Sequence, residues 1–390
     1  MITFDVGVVL AFSLTILSLV LSSRLKIHYT LILVISGLCM AIIRYYSGAK
    51  PPEFTGELIL GLVLPTLVFQ AALSLDFQAF NRVKKRVFLL AIVGVVISAL
   101  VSTSLLVVLT PLTLLAALAF GVIISPTDAA SVIDTFKRLG VPHGLSTLVE
   151  GEALLNDATA IVLFSAVTSL MLSPILNVIR FTAVFGGGIM VGLVVAFVAT
   201  RVRRLASGST YQVVLSMAVA YGAYATAQAL EFSGVVAVAI TGLLMSRTFQ
   251  MNAESTERLS FFWEIAAFMA NAAAFLFLGL VADISMVLKY AALIAACFVV
   301  VLAARFASVY SVFGLASRIE EKTPQRWQLI TALGGMRGAI SVALALALPA
   351  GFSRDLIVTL TFGVALISLL VQGSVLQTYV RMHALEPNAI

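Results

Sequence analysis

What most limits the fold of this chain is a succession of apolar stretches, each long enough to cross a hydrocarbon layer. About 20 residues suffice for a helical crossing. Thirteen such stretches lie roughly at 4–23, 28–46, 56–75, 85–109, 112–136, 145–171, 175–203, 210–229, 233–249, 258–281, 285–316, 326–349 and 353–381. Charged residues make up 11% of the 390 residues and hydrophobic ones 61%. A soluble domain carries roughly 25% charged residues, so the expected class is an all-α polytopic membrane protein. The formal charge of +6 does not indicate nucleic-acid binding, because the basic residues are scattered over short loops. Cys39 and Cys297 sit in apolar runs without metal-ligand or disulfide spacing. The first stretch has no basic leader and no small-residue cleavage site, so it reads as a retained helix.

Loop charge orients the chain. With the N-terminus outside, seventeen Lys and Arg fall in inside loops. Five fall outside: Arg44, Lys50, Arg180, Lys289 and Arg354. Arg305 and Arg337 lie within spans. The asymmetry favours an N-out, C-cytoplasmic protein of the plasma membrane and supports an odd number of spans. No Walker motif is present, so an ion gradient is the expected energy source.

Two spans are interrupted. The fifth contains Ser125-Pro126-Thr127-Asp128, and Pro126 both removes a backbone donor and disfavours helix at Ser125. The twelfth contains Gly334-Gly335-Met336-Arg337-Gly338. These two spans run in opposite directions and are seven apart. That pattern points to inverted repeats, 1–171 and 210–390 joined by a linker helix in 172–209, with a binding site near mid-membrane. Half-helix ends are partly charged. Asp128 suits the positive ends and Arg337 the negative ones, whether or not either residue also handles an ion.

The sixth span opens with Glu150-Gly151-Glu152-Ala153-Leu154-Leu155-Asn156-Asp157. One charge at mid-bilayer costs roughly 2.5–3.5 kcal/mol on insertion scales, so such a cluster must face protein or water. Glu152 and Asn156 share a helix face, and Asp157 lies about 100° round. A carboxylate that takes H⁺ or Na⁺, never both, exchanges them by competition, and Asp157 is the candidate. Thr127 and Asp128 would add hard oxygen ligands for Na⁺ or Li⁺. Asn156 releases no proton; it either orients Asp157 or bridges to the broken helices. Glu152 needs a cationic partner. Arg305, the lone charge in the interior of span eleven, is the first candidate and Arg337 the second. Glu150 is expected at the cytoplasmic entrance.

The Glu150–Asp157 stretch resembles the "EGESLLND" motif of the cation/proton antiporter 1 family, which includes NhaP-type and animal Na⁺/H⁺ exchangers. Gly334-Gly335-Met336-Arg337-Gly338-Ala339 with Ser341–Leu346 resembles "GGLRGALSLAL", and Ser125–Asp128 resembles the family's broken-helix "TD" motif. The resemblance covers essentially the whole chain. It implies an NhaA-like fold of thirteen helices with two crossing discontinuous helices. It also implies core and dimerisation subdomains interleaved in sequence, a homodimer in the lipid bilayer, and no cofactor beyond the transported ions. The Asn-Asp pair, Asn156-Asp157, implies electroneutral exchange, and the resemblance also favours Arg305 for Glu152. Two positions depart from the pattern. Gln70 stands where the family's "LPPLLFEAGL" has an acid, leaving an auxiliary ligand without charge, and Ala153 stands where "EGESLLND" has Ser. K⁺/H⁺ or broad-selectivity exchange is therefore the alternative. A channel, or an intramembrane aspartyl enzyme using Asp128 and Asp157, is more remote, and no Gly-x-Gly-Asp or His-Glu-x-x-His motif accompanies the acids. Glu264 faces either the interface or the core. Gly186-Gly187-Gly188 reads as a close-packing site or a flexible linker. His28, His143 and His383 are expected near the cytoplasmic surface.

Overall fold

Among the described residues the chain is helical throughout, with no strand. The computed structural model describes residues 29–47, 59–128, 130–168, 174–203, 208–249, 253–318 and 321–382, with scattered positions between 13 and 24. Most of the expected first span, and His28 and His383, lie outside them.

The helices are α1 (Tyr29–Ser47), α2 (Leu64–Ser74, after a π turn at Ile59–Val63), α3 (Phe77–Phe88) and α4 (Val95–Leu109). Next come α5 (Leu114–Ile123), α6 (Ala130–Leu139), α7 (His143–Thr168), α8 (Pro174–Arg203), α9 (Ser209–Ala229) and α10 (Gly234–Phe249). The remainder are α11 (Ala253–Val281), α12 (Ile284–Lys289), α13 (Ala291–Ala316), α14 (Gln325–Leu333), α15 (Ala339–Leu346), α16 (Arg354–Ile367) and α17 (Gly373–Met382). Five described stretches are long and apolar enough to cross a membrane unaided: Phe77–Leu109, Ile179–Arg203, Glu257–Leu280, Ala291–Ala316 and Arg354–Met382. The others are shorter, broken, or carry buried polar residues.

Two span boundaries differ from the sequence expectation. The span expected at 85–109 begins at Phe77, because a basic amphipathic turn, α3, continues through a π turn at Leu89–Gly94 into α4. Asp76 caps its start, with Oδ1 accepting from the Gln78 and Ala79 amides. The span expected at 285–316 divides into α12 and α13 at Tyr290. Asp283 caps α12 by accepting from the Ser285 and Met286 amides, which sets α12 apart as a short separate turn.

Close backbone approach orders the packing. A Cβ at Gly37 of α1 would collide with the Leu276 carbonyl of α11, and one at Gly279 of α11 with the Val34 carbonyl of α1. In lipid, where hydrophobicity does not drive helices together, such small-residue contacts let backbones touch. Of the three consecutive glycines, Gly187 and Gly188 pack against α10 and the residues leading into it, at Phe232, Ser233 and Val236. They sit inside the continuous helix α8 and serve close packing, not flexibility. Buried aromatic residues anchor α2 to α11, with the Phe69 and Trp263 ring centroids 4.7 Å apart. The Trp263 indole donates to Ser216 Oγ of α9 at 2.9 Å.

The fifth and twelfth spans are each two half-helices, α5/α6 and α14/α15. α5 packs beside α15, and Val132 of α6 lies near Gly334 at the end of α14. The first half of each thus adjoins the second half of the other, the arrangement of two antiparallel helices crossing at their breaks.

Candidate ion site at the crossing of two broken helices

At the first break, α5 ends in a turn at Ile124 and leaves the Ser125 and Pro126 carbonyls without helical partners. The Arg337 guanidinium satisfies both: Nη1 donates to Ser125 O at 2.9 Å and to Pro126 O at 3.1 Å. At the second break, α14 ends at Leu333, and Arg305 Nη2 donates to the Thr331 carbonyl at 2.9 Å. Each broken helix therefore has a buried arginine at its negative C-terminal end, where the backbone dipole favours a cation. The breaks are tied directly, the Asp128 amide donating to Met336 O at 2.7 Å. Gly338 lies against Asp128; a Cβ there would stand 2.5 Å from Asp128 Cβ, so only glycine allows this approach. Asp128 thus adjoins the N-terminal, positive end of α15.

The α7 residues separate by helix face. Glu152 is 1% exposed and Asn156 0%. Both Glu152 oxygens accept from Arg305: Oε1 from Nη1, and Oε2 from Nη2 at 3.0 Å. The Arg305 fork therefore joins α7, α13 and the end of α14. Arg337, the other candidate partner, holds carbonyls instead. Asn156 Nδ2 donates to Thr127 Oγ1 at 2.7 Å. Asn156 does not line the cavity described below. Of the two places the sequence left open for Asn156, the side chain takes the bridge to the first broken helix, through Thr127.

Asp157, about 100° round from Asn156, faces a cavity of about 670 Å³ together with Thr127, Asp128 and Gln70. Among the described residues its carboxylate accepts no hydrogen bond from the protein. Gln70 Nε2 donates to Ser74 Oγ at 3.3 Å. Ala153 also lines the space and presents a methyl. Glu150, Lys137, His143 and Asp76 line the same cavity, and the exposed His143 and Asp76 side chains mark where it opens. Ser146 Oγ donates to Glu150 Oε1 at 3.2 Å. At the mouth, His143 Nε2 and Asp76 Oδ2 are 3.1 Å apart. Slight burial raises the Asp76 pKa, but hydrogen bonds from His143, Ala79 and Gln78 outweigh it and hold the carboxyl below the usual carboxylate range. Acidic groups outnumber basic ones along this wall, so it attracts cations. Among the described residues, no group of three or more His, Cys, Asp or Glu has metal-holding geometry.

Two wall residues, Asn271 and Ser341, are not among the sequence candidates, whereas the sequence leaves Glu264 open between the interface and the core. Glu264 and Asn271 of α11 and Ser341 of α15 all line the cavity. The seven-residue spacing of Glu264 and Asn271 places them on one helix face and was the available signal. Ser341 gave none, since a serine in an apolar half-helix reads as a satisfied hydroxyl.

The description "sodium/hydrogen exchanger, transmembrane" matches residues 9–382. The chain is 35% identical over 386 residues to the Na⁺/H⁺ antiporter ApNhaP of Aphanothece halophytica, covering 96% of this chain and 73% of that one. It is 31% identical over 398 residues to the Na⁺/H⁺ antiporter NhaH of Halobacillus dabanensis, covering 96% and 97%. The fold matches the sodium proton antiporter MjNhaP1 from Methanocaldococcus jannaschii at pH 8, with a TM-score of 0.79, 22% identity, and coverage of 96% and 97%. An all-helical fold with two crossing breaks, an unpartnered carboxylate on the wall of an acid-lined cavity, and these relatives lead to one assignment: the chain belongs to the sodium/hydrogen exchanger family of multi-pass membrane antiporters, and is a transporter, not an enzyme.

Proposed function

We propose that the protein carries out electroneutral Na⁺(Li⁺)/H⁺ exchange by alternating access, with cation and proton competing for the Asp157 carboxylate. The observation that carries this reading is the setting of Asp157. It lines an acid-rich cavity, no hydrogen bond among the described residues satisfies it, and Thr127 and Asp128 line the same cavity. A carboxylate already paired, as Glu152 is by Arg305, has no capacity for a second cation. Asn156 beside it carries no proton, so one site handles one charge in either direction. On this reading the cavity faces the cytoplasm, the N-terminus lies outside, and the protein sits in the plasma membrane as a homodimer of inverted repeats, 1–171 and 210–390. Arg305 with Glu152, and Arg337 with Asp128, hold the breaks in place while the core moves as a unit.

The test is ion exchange in proteoliposomes under an imposed pH gradient, with Na⁺, Li⁺ or K⁺ supplied in turn. Wild type is expected to dissipate the gradient with Na⁺ and Li⁺ at a rate insensitive to membrane potential. Asp157→Asn is expected to lose exchange; retained exchange sinks the proposal. K⁺/H⁺ exchange is favoured by one observation, that Gln70 and Ala153 give this wall neither charge nor hydroxyl. A K⁺ preference in the same assay decides for it.

A further inference from the structure

Buried serine and threonine hydroxyls in these helices mostly donate to a carbonyl three or four residues back. Thr103 bonds Ala99 O, Thr159 bonds Leu155 O, Thr241 bonds Ala237 O, and Ser246 bonds Leu243 O. Ser341 does not. It is 1% exposed, and its Oγ has no hydrogen-bond partner among the described residues. The local reason is its position as third residue of α15. The carbonyls three and four positions back belong to Gly338, which is extended, and to Arg337 in the break, and neither is its partner.

An unsatisfied buried hydroxyl costs stability, so its surroundings matter. Among the described residues the other buried hydroxyls lacking a partner are Ser102, Thr331 and Thr361. None of these lines the cavity, and Ser341 does. Ser341 is also one helical turn beyond Gly338, which lies against Asp128, and residues three apart share a face. The free hydroxyl therefore lies on the wall of the same cavity that Asp157, Asp128 and Thr127 line, one turn from the contact between Gly338 and Asp128. Ala153 on the facing helix α7 contributes only a methyl there.

We propose that Ser341 Oγ is a direct ligand of the cation carried at Asp157, supplying a neutral oxygen from the second broken helix. The proposal rests on the assignment of ion exchange to Asp157. Hard monovalent cations need several oxygens to replace their hydration shell. A proton on Asp157 needs only the carboxylate. Ser341 therefore sets cation affinity and selectivity and leaves the protonation step alone.

The test compares Ser341→Thr, which keeps the hydroxyl, with Ser341→Val, which has the same shape without it, in the full-length protein reconstituted beside wild type and Asp157→Asn. Ser341→Val is expected to raise the apparent KM for Na⁺ about tenfold or more, the scale of one lost bond to a charged group, with the maximal rate little changed and the Na⁺/Li⁺ preference altered. Ser341→Thr should stay within about twofold of wild type, since one retained bond preserves the affinity. Stabilisation of the detergent-solubilised protein by NaCl against heating, read as a shift in Tm, should be retained by Thr and reduced in Val. Equal KM, selectivity and Tm shift for the two variants overturn the proposal, as does equal loss in both, which marks a steric effect. If Asp157→Asn retains exchange, the parent reading fails, whatever Ser341 does. If it abolishes exchange and Val matches Thr, only the Ser341 proposal fails.

Discussion

At the scale of single residues, the carboxylates of α7 and its approaches have unlike surroundings, and their chemistry follows. Glu152 is bound by both arms of the Arg305 guanidinium and buried. Removing one partner leaves a desolvated charge, which costs about 3–5 kcal/mol. Arg305→Ala is therefore expected to lower the thermal stability of the purified protein sharply. The double variant Arg305→Met with Glu152→Met should recover much of it, because the orphan charge is gone; a double variant no better than the single would argue against pairing as the cause. Asp76 is different, partly exposed and held below the usual carboxylate range mainly by its hydrogen bonds. Because its pKa is lowered on folding, its stabilisation is present above the unfolded value and is lost as pH falls through the folded one. With 42% of the side chain exposed, solvent screening limits the His143 contact to less than about 1 kcal/mol. Asp76→Ala, which also removes the cap of α3, is expected to cost about 1 kcal/mol near neutral pH, and less below pH 4, in unfolding measured against pH. Asp76→Asn should keep most of the capping part.

At the scale of helices, the interruptions and the close crossings carry the architecture. Each broken helix is completed by an arginine from elsewhere, Arg337 on α5 and Arg305 on α14. The breaks therefore cannot be understood one span at a time. The α1–α11 crossing depends on Gly37 and Gly279, where an added Cβ meets backbone that cannot rotate away. Overpacking a tight contact costs about 1–3 kcal/mol when side chains can yield. Here they cannot, so Gly279→Val is expected to reach or exceed that range, seen as loss of folded protein in size-exclusion of the detergent extract. Gly314→Val of α13 is the control, since a Cβ there meets nothing, and it should behave as wild type.

At the scale of the molecule, one cavity joins Asp157 to a mouth at Asp76, Lys137 and His143. If that mouth is cytoplasmic, Ser146→Cys in a background lacking the exposed Cys39 should react with a membrane-impermeant maleimide in inside-out vesicles and not in right-side-out ones. The opposite pattern would reverse the orientation inferred from loop charge. A cytoplasmic mouth fits the loop-charge asymmetry, since Lys137 belongs to the basic inside loops.

Much of this was legible in the chain alone, for identifiable reasons. Apolar length set the class, because lipid leaves a backbone few alternatives to helix. Pro126 and the glycines at 334, 335 and 338 located the breaks, because they act on the backbone at their own positions. The acids of the sixth span marked the site, since charges there are too costly to be incidental. Other features depended on contacts between residues far apart in sequence. Helical periodicity separates Asn156 from Asp157 by an angle, but it does not say which of the two faces open space. That was decided by the first break standing against Asn156, through Thr127. Nor does sequence distinguish Ser341 from hydroxyls that bond their own helix. Its orphan state follows from the non-helical backbone behind it, and its place on the cavity wall from two broken helices crossing. The chain by itself determined a helical membrane antiporter with its acids at the sixth span. Only the tertiary structure decided which polar groups are already satisfied and which remain available to an ion, because that depends on partners far apart in sequence, as Arg337 and Ser125 are, 212 positions apart.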